Sequence, residues 1–241
     1  MAEVALFFAC AAGATLGWTS VLSALVYYSS QFGPDSFLVL NLAVFTPLLP
    51  ISLAQARWDA NFDARLGSET AFLRRGATVF ALGTIALGVA PLASQGLPGL
   101  LTVSVVLGTV AAVLQGTLNQ LAALFSSCCG RLKAAVSAGT QASAALALGA
   151  SLASGFGASD SGEGMWAFYA TAAALEALGL LCFVVLLRRS RRLLSAMRRR
   201  DSSISDERLV APADDGGGVR GGSYSALLSS AKPCCLALLL T

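Results

Sequence analysis

Apolar residues in this chain fall into long blocks rather than into the short alternations of a soluble domain. Six blocks are long enough to cross a hydrocarbon layer of about 30 Å as helices. They occupy residues 4–29, 37–55, 76–92, 100–126, 132–154 and 165–187. A last apolar stretch, 234–240, is too short to span. The pattern predicts an all-α, polytopic membrane helix bundle of six transmembrane helices over residues 1–187. The first block follows Met1-Ala2-Glu3, with no basic lead, and is longer than a secretory core. It is therefore expected to remain as a spanning helix.

Composition agrees. Of the 241 residues, 56% are hydrophobic and 12% charged, against about a quarter charged in soluble domains. The mean hydropathy is +0.71. Too little polar material exists to cover a water-facing surface of this size.

Charge sets the expected orientation. The stretches 31–36, 94–99 and 155–164 contain no Lys or Arg. Arg57, Arg65, Arg74 and Arg75 fall in the second connection and Arg131 and Lys133 in the fourth, while Arg188, Arg189, Arg191, Arg192, Arg198, Arg199, Arg200, Arg208, Arg220 and Lys232 follow the sixth block. All 16 basic residues thus lie on one side of a six-helix topology. The positive-inside rule makes that side, and the N-terminus, cytoplasmic. Residues 188–230 read as a disordered cytoplasmic loop, with a basic run over 188–200 that suits anionic lipid headgroups. A run abutting a spanning helix argues against a nucleic-acid partner. Ser202, Ser203 and Ser205 beside arginines are candidate phosphorylation sites that would weaken lipid contact.

Polar groups in hydrocarbon are costly, which makes them informative. Gln115 and Asn119 in the fourth block are four apart and share a face with Ala111. They either join helices or line a polar cavity. Gly108, Ala112, Gly116 and Gln120 form a neighbouring stripe, and Ala135, Gly139, Ser143, Ala147 and Ser151 repeat every four residues in the fifth block. Such stripes let helices approach closely. Trp18 lies near mid-membrane beside Gly17 and Thr19, either packed in the core or walling a pocket that stacks a flat ligand. Glu176 is the one acidic residue deep in a block. It is expected to be protonated, to face a cavity or to pair, and it is the candidate for proton coupling.

Several of these pieces resemble the equilibrative nucleoside transporter family. The run from Ala112 through Gln115-Gly116-Thr117-Leu118, then Leu121 to Leu124, is similar to that family's fourth-helix pattern. Val136-Ser137-Ala138-Gly139-Thr140-Gln141 resembles its fifth-helix region. Gly13 through Trp18 to Tyr27-Tyr28 resembles its first helix, Pro47-Leu48-Leu49 its second, and Lys232-Pro233-Cys234-Cys235 the start of its seventh. The resemblance covers about residues 4–240. It implies the N-terminal half of an eleven-helix, major-facilitator-like transporter, with 231–241 as the start of a truncated seventh helix. It also implies passive or proton-linked movement of nucleosides, or nucleobases, by alternating access at the plasma membrane. By position, Trp18 would wall the substrate site, Gln115 would hydrogen-bond the base edge, and Gly116 and Gly139 would allow close helix contact. The chain departs from the family at Gly17-Trp18-Thr19, where Pro-Trp-Asn is usual, at Ala111 in place of a glycine, and around Thr140. The family's acidic and basic pair on the eighth helix is absent.

Other readings follow from the same residues. A non-transporting membrane partner would regulate a full-length transporter through the small-residue faces, or the chain would pair with a C-terminal half. A third reading is a transporter of another six-helix-repeat family, or a battenin-like protein, with lysosomal location. An enzyme is disfavoured: there is no His, no paired intramembrane carboxylates and no glycine-rich phosphate loop, since Gly216-Gly217-Gly218 lacks a strand–turn–helix context. No cofactor or metal is expected. The adjacent pairs Cys128-Cys129 and Cys234-Cys235 lack zinc-ligand spacing and read as small apolar filler, with palmitoylation of the pairs as the minor alternative.

Overall fold

A computed structural model describes residues 2–66, 68–125, 129–156 and 163–189, together with Arg199. The predicted loop over 188–230, beyond its first two residues and Arg199, and the predicted helix start at 231–241 lie outside the described residues. The described residues form eight helices: α1 Ala2–Ser23, α2 Leu25–Phe32, α3 Asp35–Phe45, α4 Leu48–Leu66, α5 Ser68–Ala93, α6 Leu97–Ala123, α7 Cys129–Ser154 and α8 Met165–Arg189. Among them, five segments are long and apolar enough to cross a membrane: Ala2–Ser23, Asp35–Trp58, Thr70–Ala93, Leu97–Ala123 and Met165–Arg189. The fifth expected block is also helical, as α7, with 26 residues. It carries alanine, glycine and serine where the other spans carry leucine, so its apolarity is lower.

The first two blocks are each divided by local chemistry. At the end of α1 the Thr19 and Ser20 hydroxyls bond the Leu16 carbonyl at 3.0 and 2.7 Å, and Ser23 bonds Ser20 at 2.9 Å. Hydroxyls that share helix carbonyls bend the helix. Ala24 follows with φ −93° and ψ 4°, and the chain restarts as α2. Gly33, at φ 91°, ends α2 in a conformation open mainly to glycine, and Pro34 starts the next turn. In the second block Pro47 has no N–H to donate, so α3 stops at Phe45 and α4 resumes at Leu48. The second connection differs from the expected loop: Arg57 lies in α4, while Arg74 and Arg75 lie in α5. No proline or glycine interrupts 51–66 or 68–75, so the helices continue past the apolar blocks.

α1 is the central helix. Cys10 through Gly17 are buried without interruption, which requires neighbours on every face. α7 and α8 flank it most extensively, with α6 and α5 closing the ring. The predicted stripe on α7 is wholly buried at Ala135, Gly139, Ser143, Ala147 and Ser151. A side chain at Gly139 would strike the Phe8 carbonyl, with Ala11 Cβ at 2.9 Å. α3 and α4 are peripheral. Their span is 11% buried against 67% for α1, and Phe37, Leu38, Leu42, Leu49 and Leu53 point outward, as a lipid-facing surface requires.

The interior separates into two apolar clusters. One gathers Phe7, Phe72, Phe80, Leu118, Phe125 and Phe183 towards the basic end. The other gathers Tyr28, Leu87, Leu100, Phe156, Phe168 and Tyr169 towards the opposite end. Along α8, Ala172 belongs to the second cluster and Phe183 to the first, which leaves Glu176 at the seam.

Candidate functional site

α6 carries the side chains that shape the candidate site. A Cβ on Gly108 would strike the Val44 carbonyl, and one on Gly116 would strike the Gln55 side chain. These two glycines, eight residues apart, seat α3 and α4 against α6. Gln55 is held there by a 3.1 Å hydrogen bond from Nε2 to the Val113 carbonyl. Between the two contacts a cleft of about 110 Å³ opens, lined by Trp18, Val44, Leu48, Gly108, Ala111 and Gln115.

Trp18 and Gln115, 97 positions apart in the sequence, therefore face the same space. The Trp18 ring is half-buried and packs edge-on against Phe45, with centroids 5.2 Å apart at 67°. That contact holds the indole at the border of the cleft. No described residue hydrogen-bonds the Gln115 side-chain amide, so its carbonyl and NH₂ both remain available.

The other predicted residues are distributed differently. Asn119 is exposed and outside the cleft lining, one turn beyond Gln115. The four-residue spacing was real, but the cleft ends where α4 closes over Gly116. Gly116 and Gly139 are helix contacts, the first with α4 and the second with α1.

Glu176 occupies a second, separate environment. It is fully buried. One carboxyl oxygen fills the space a side chain would need at Gly83 on α5, and the other lies 3.6 Å from the Cβ position of Gly17 on α1. Neither oxygen accepts a hydrogen bond from any described residue. The backbones of α1 and α8 meet one turn away, where a Cβ on Gly13 would lie 2.9 Å from Gly179 Cα.

Two polar arrangements escaped the sequence reading. Arg75, counted there only as a loop cation, reaches α6 through Nε to Thr117 Oγ1 at 3.2 Å and Nη2 to Gln120 Oε1 at 3.0 Å, above the Phe72 ring at 4.8 Å. The Tyr28 and Tyr169 hydroxyls meet at 2.6 Å, both buried, and tie α2 to α8. No spacing rule pairs residues 141 apart. Gly83 was also missed; its only signal was a glycine inside an apolar span. Among the described residues no cluster of His, Cys, Asp or Glu could hold a metal ion.

Comparison with protein-family models and with curated proteins finds no match to this chain.

Proposed function

We propose that this chain forms one helix bundle of a solute carrier that moves nucleosides, or nucleobases, by alternating access, with the Trp18–Gln115 cleft as its half of the substrate site. The observation that carries this reading is the convergence of the Trp18 side chain and the Gln115 amide on one cleft between apolar helices. A planar heterocycle offers both a π-face for Trp18 and a donor–acceptor edge for Gln115. The resemblance of the α6 run around Gln115-Gly116 to the nucleoside transporter pattern supports the same solute class. Within this reading α7 is the fifth of six spanning helices, the architecture is the N-terminal half of a major-facilitator-like carrier, and the basic end with the N-terminus is cytoplasmic in the plasma membrane.

The cleft volume also fits a half-site. At about 110 Å³ it is well below the ~300 Å³ at which small-molecule pockets begin. It accommodates a ring edge, and a second bundle must enclose the sugar. Alternating access needs two such bundles rocking about a central site.

The test is binding of a panel of radiolabelled nucleosides and nucleobases to the full chain in lipid nanodiscs, with amino acids and sugars as controls. Base–aromatic stacking contributes about 1–3 kcal/mol, so Trp18→Ala is expected to weaken nucleoside binding roughly 5- to 150-fold. Gln115→Ala should weaken it and also narrow the difference between bases that present different edges. Equal binding of nucleosides and controls, or nucleoside binding unaffected by both variants, would refute the assignment.

A further inference from the structure

We infer that Glu176 is a proton-binding site whose charge state sets the packing of α1 against α6, and through it the width of the Trp18–Gln115 cleft. The inference takes that cleft as the solute site proposed above and assigns the group that regulates it.

The two places share a wall one residue thick. On α1, Gly17 faces the Glu176 carboxyl and the next residue, Trp18, lines the cleft. On α6, Leu107 packs against Gly17, with Cδ2 2.8 Å from its Cβ position, and Val110 lies 2.9 Å from the Cβ position of Gly83. Their sequence neighbours Gly108 and Ala111 line the cleft from the other side. Any displacement of α1 or α6 that changes the carboxyl's surroundings must therefore change the cleft.

The notch suits only the neutral acid. It brings no donor to either oxygen, and an ionised carboxylate without partners in such surroundings is strongly disfavoured. Groups that could have compensated a charge are placed elsewhere. On α1, Glu3 and Cys10 lie fourteen and seven residues before Gly17, roughly 21 and 10 Å along the helix. On α5, Arg75 lies eight residues before Gly83 and is engaged with Thr117 and Gln120, and Arg74 is exposed. On α7, Arg131 and Lys133 are exposed, and α6 has no charged residue. On α8 itself, Tyr169 is engaged with Tyr28 and Cys182 is more than one turn away.

Loss of the proton therefore needs water at the carboxyl. The two facing residues are glycines, with no side chain to swing aside, and Leu107 and Val110 of α6 pack beside them, so water enters where α1 lifts from α6. On opening, the carboxyl O–H gives its proton to water; on closing, the oxygen takes one back. Raising the pH shifts the bundle towards the open form, and lowering it restores the closed one.

The experiment uses the full chain in nanodiscs with Trp58→Phe and Trp166→Phe, which leave Trp18 as the sole tryptophan, excited selectively at the red edge of the absorption band. Its emission maximum and acrylamide quenching are followed from about pH 5 to about pH 9. The expected result is a red shift and stronger quenching with rising pH, lost in Glu176→Gln, which stays at the low-pH values. Glu176→Asp retracts the carboxyl by one methylene and should keep the transition but move its midpoint, which decides the matter if Glu176→Gln does not fold. A flat wild-type titration, an unchanged transition in Glu176→Gln or an unmoved midpoint in Glu176→Asp overturns the proposal. The readout needs no solute. A normal transition without nucleoside binding refutes the substrate assignment and leaves the proton site; binding without a transition does the reverse.

Discussion

The crossing of α1 and α8 at Gly13 and Gly179 offers a test of how this bundle is held together. In Gly13→Ala the new methyl would lie 2.9 Å from Gly179 Cα, 3.5 Å from its nitrogen and 3.6 Å from the Leu175 carbonyl oxygen. Carbon atoms in contact sit about 3.5–4.0 Å apart, so the helices must separate by roughly 0.6 Å or more. The obstruction is backbone, which has no rotamer to adopt, so α1 must lift from α8 as a whole. A gap of about 0.5–1 Å forfeits a quarter to a half of each dispersion well, and dispersion is a main force between helices in lipid. Overpacking of this kind costs about 1–3 kcal/mol. Gly179→Ala presents the mirror case, with Gly13 Cα at 3.0 Å and Phe80 at 3.2 Å. Because both methyls demand the same separation, the double variant should cost clearly less than the two singles added. Gly88→Ala is the control. Nothing lies within 4 Å of its Cβ position, so the helix-propensity gain of about 0.5–1 kcal/mol should appear unopposed. Unfolding by SDS in mixed micelles, followed by circular dichroism, measures all four. Gly13→Ala as stable as wild type, or a strictly additive double variant, would show that α1 and α8 do not meet at these glycines.

Three further outcomes are expected. Gly83→Ala drives its methyl into the Glu176 carboxyl and should cost about 1–3 kcal/mol, most of it recovered when Glu176→Ala is added; a cycle of the four proteins in the same SDS titration measures the coupling. Tyr28→Phe leaves the buried Tyr169 hydroxyl without the partner it meets at 2.6 Å and should cost about 1–2 kcal/mol, while Tyr169→Phe, which leaves the Tyr28 hydroxyl its bond with Ser94, should cost less in the same SDS titration, and the double Phe variant no more than Tyr28→Phe alone. Arg75→Met removes charged hydrogen bonds to Thr117 and Gln120 and should lower stability by about 1.5–3 kcal/mol, measured as a lower SDS midpoint; Arg75→Lys, which lacks the planar fork, should recover less than half of the loss.

Part of the candidate site was legible in the residues themselves. Gln115 and Glu176 stand out because an amide and a carboxyl are costly in hydrocarbon, and Trp18 because tryptophan usually sits at the membrane interface rather than at mid-depth. The stripe from Ala135 to Ser151 announced a close helix contact, and the buried face of α7 meets that expectation. Asn119 shared the same local signal as Gln115, yet lies outside the cleft, because the boundary is drawn by Gln55 from another helix. Gly83 and Arg75 had nothing local to mark them. Their roles come from Glu176 and from Thr117 and Gln120, which arrive from distant parts of the chain.

The sequence by itself determined the class of the protein and the approximate reach of its helices. Both depend on local quantities: in a bilayer every backbone hydrogen bond must close within its own segment, so a long apolar run suffices to define a helix. The breaks within the first two blocks, at Ala24 and at Pro47, appeared only in the structure. Only the tertiary structure decided which helix occupies the centre. Hydropathy ranks them the wrong way round, since the Asp35–Trp58 span is more apolar than α1, at 2.0 against 1.6, yet is 11% buried against 67%. Lipid and protein interior are equally apolar, so no transfer term separates an outward face from an inward one. Helix pairing is chosen instead by shape, glycine against backbone and carboxyl against glycine, between residues more than sixty positions apart.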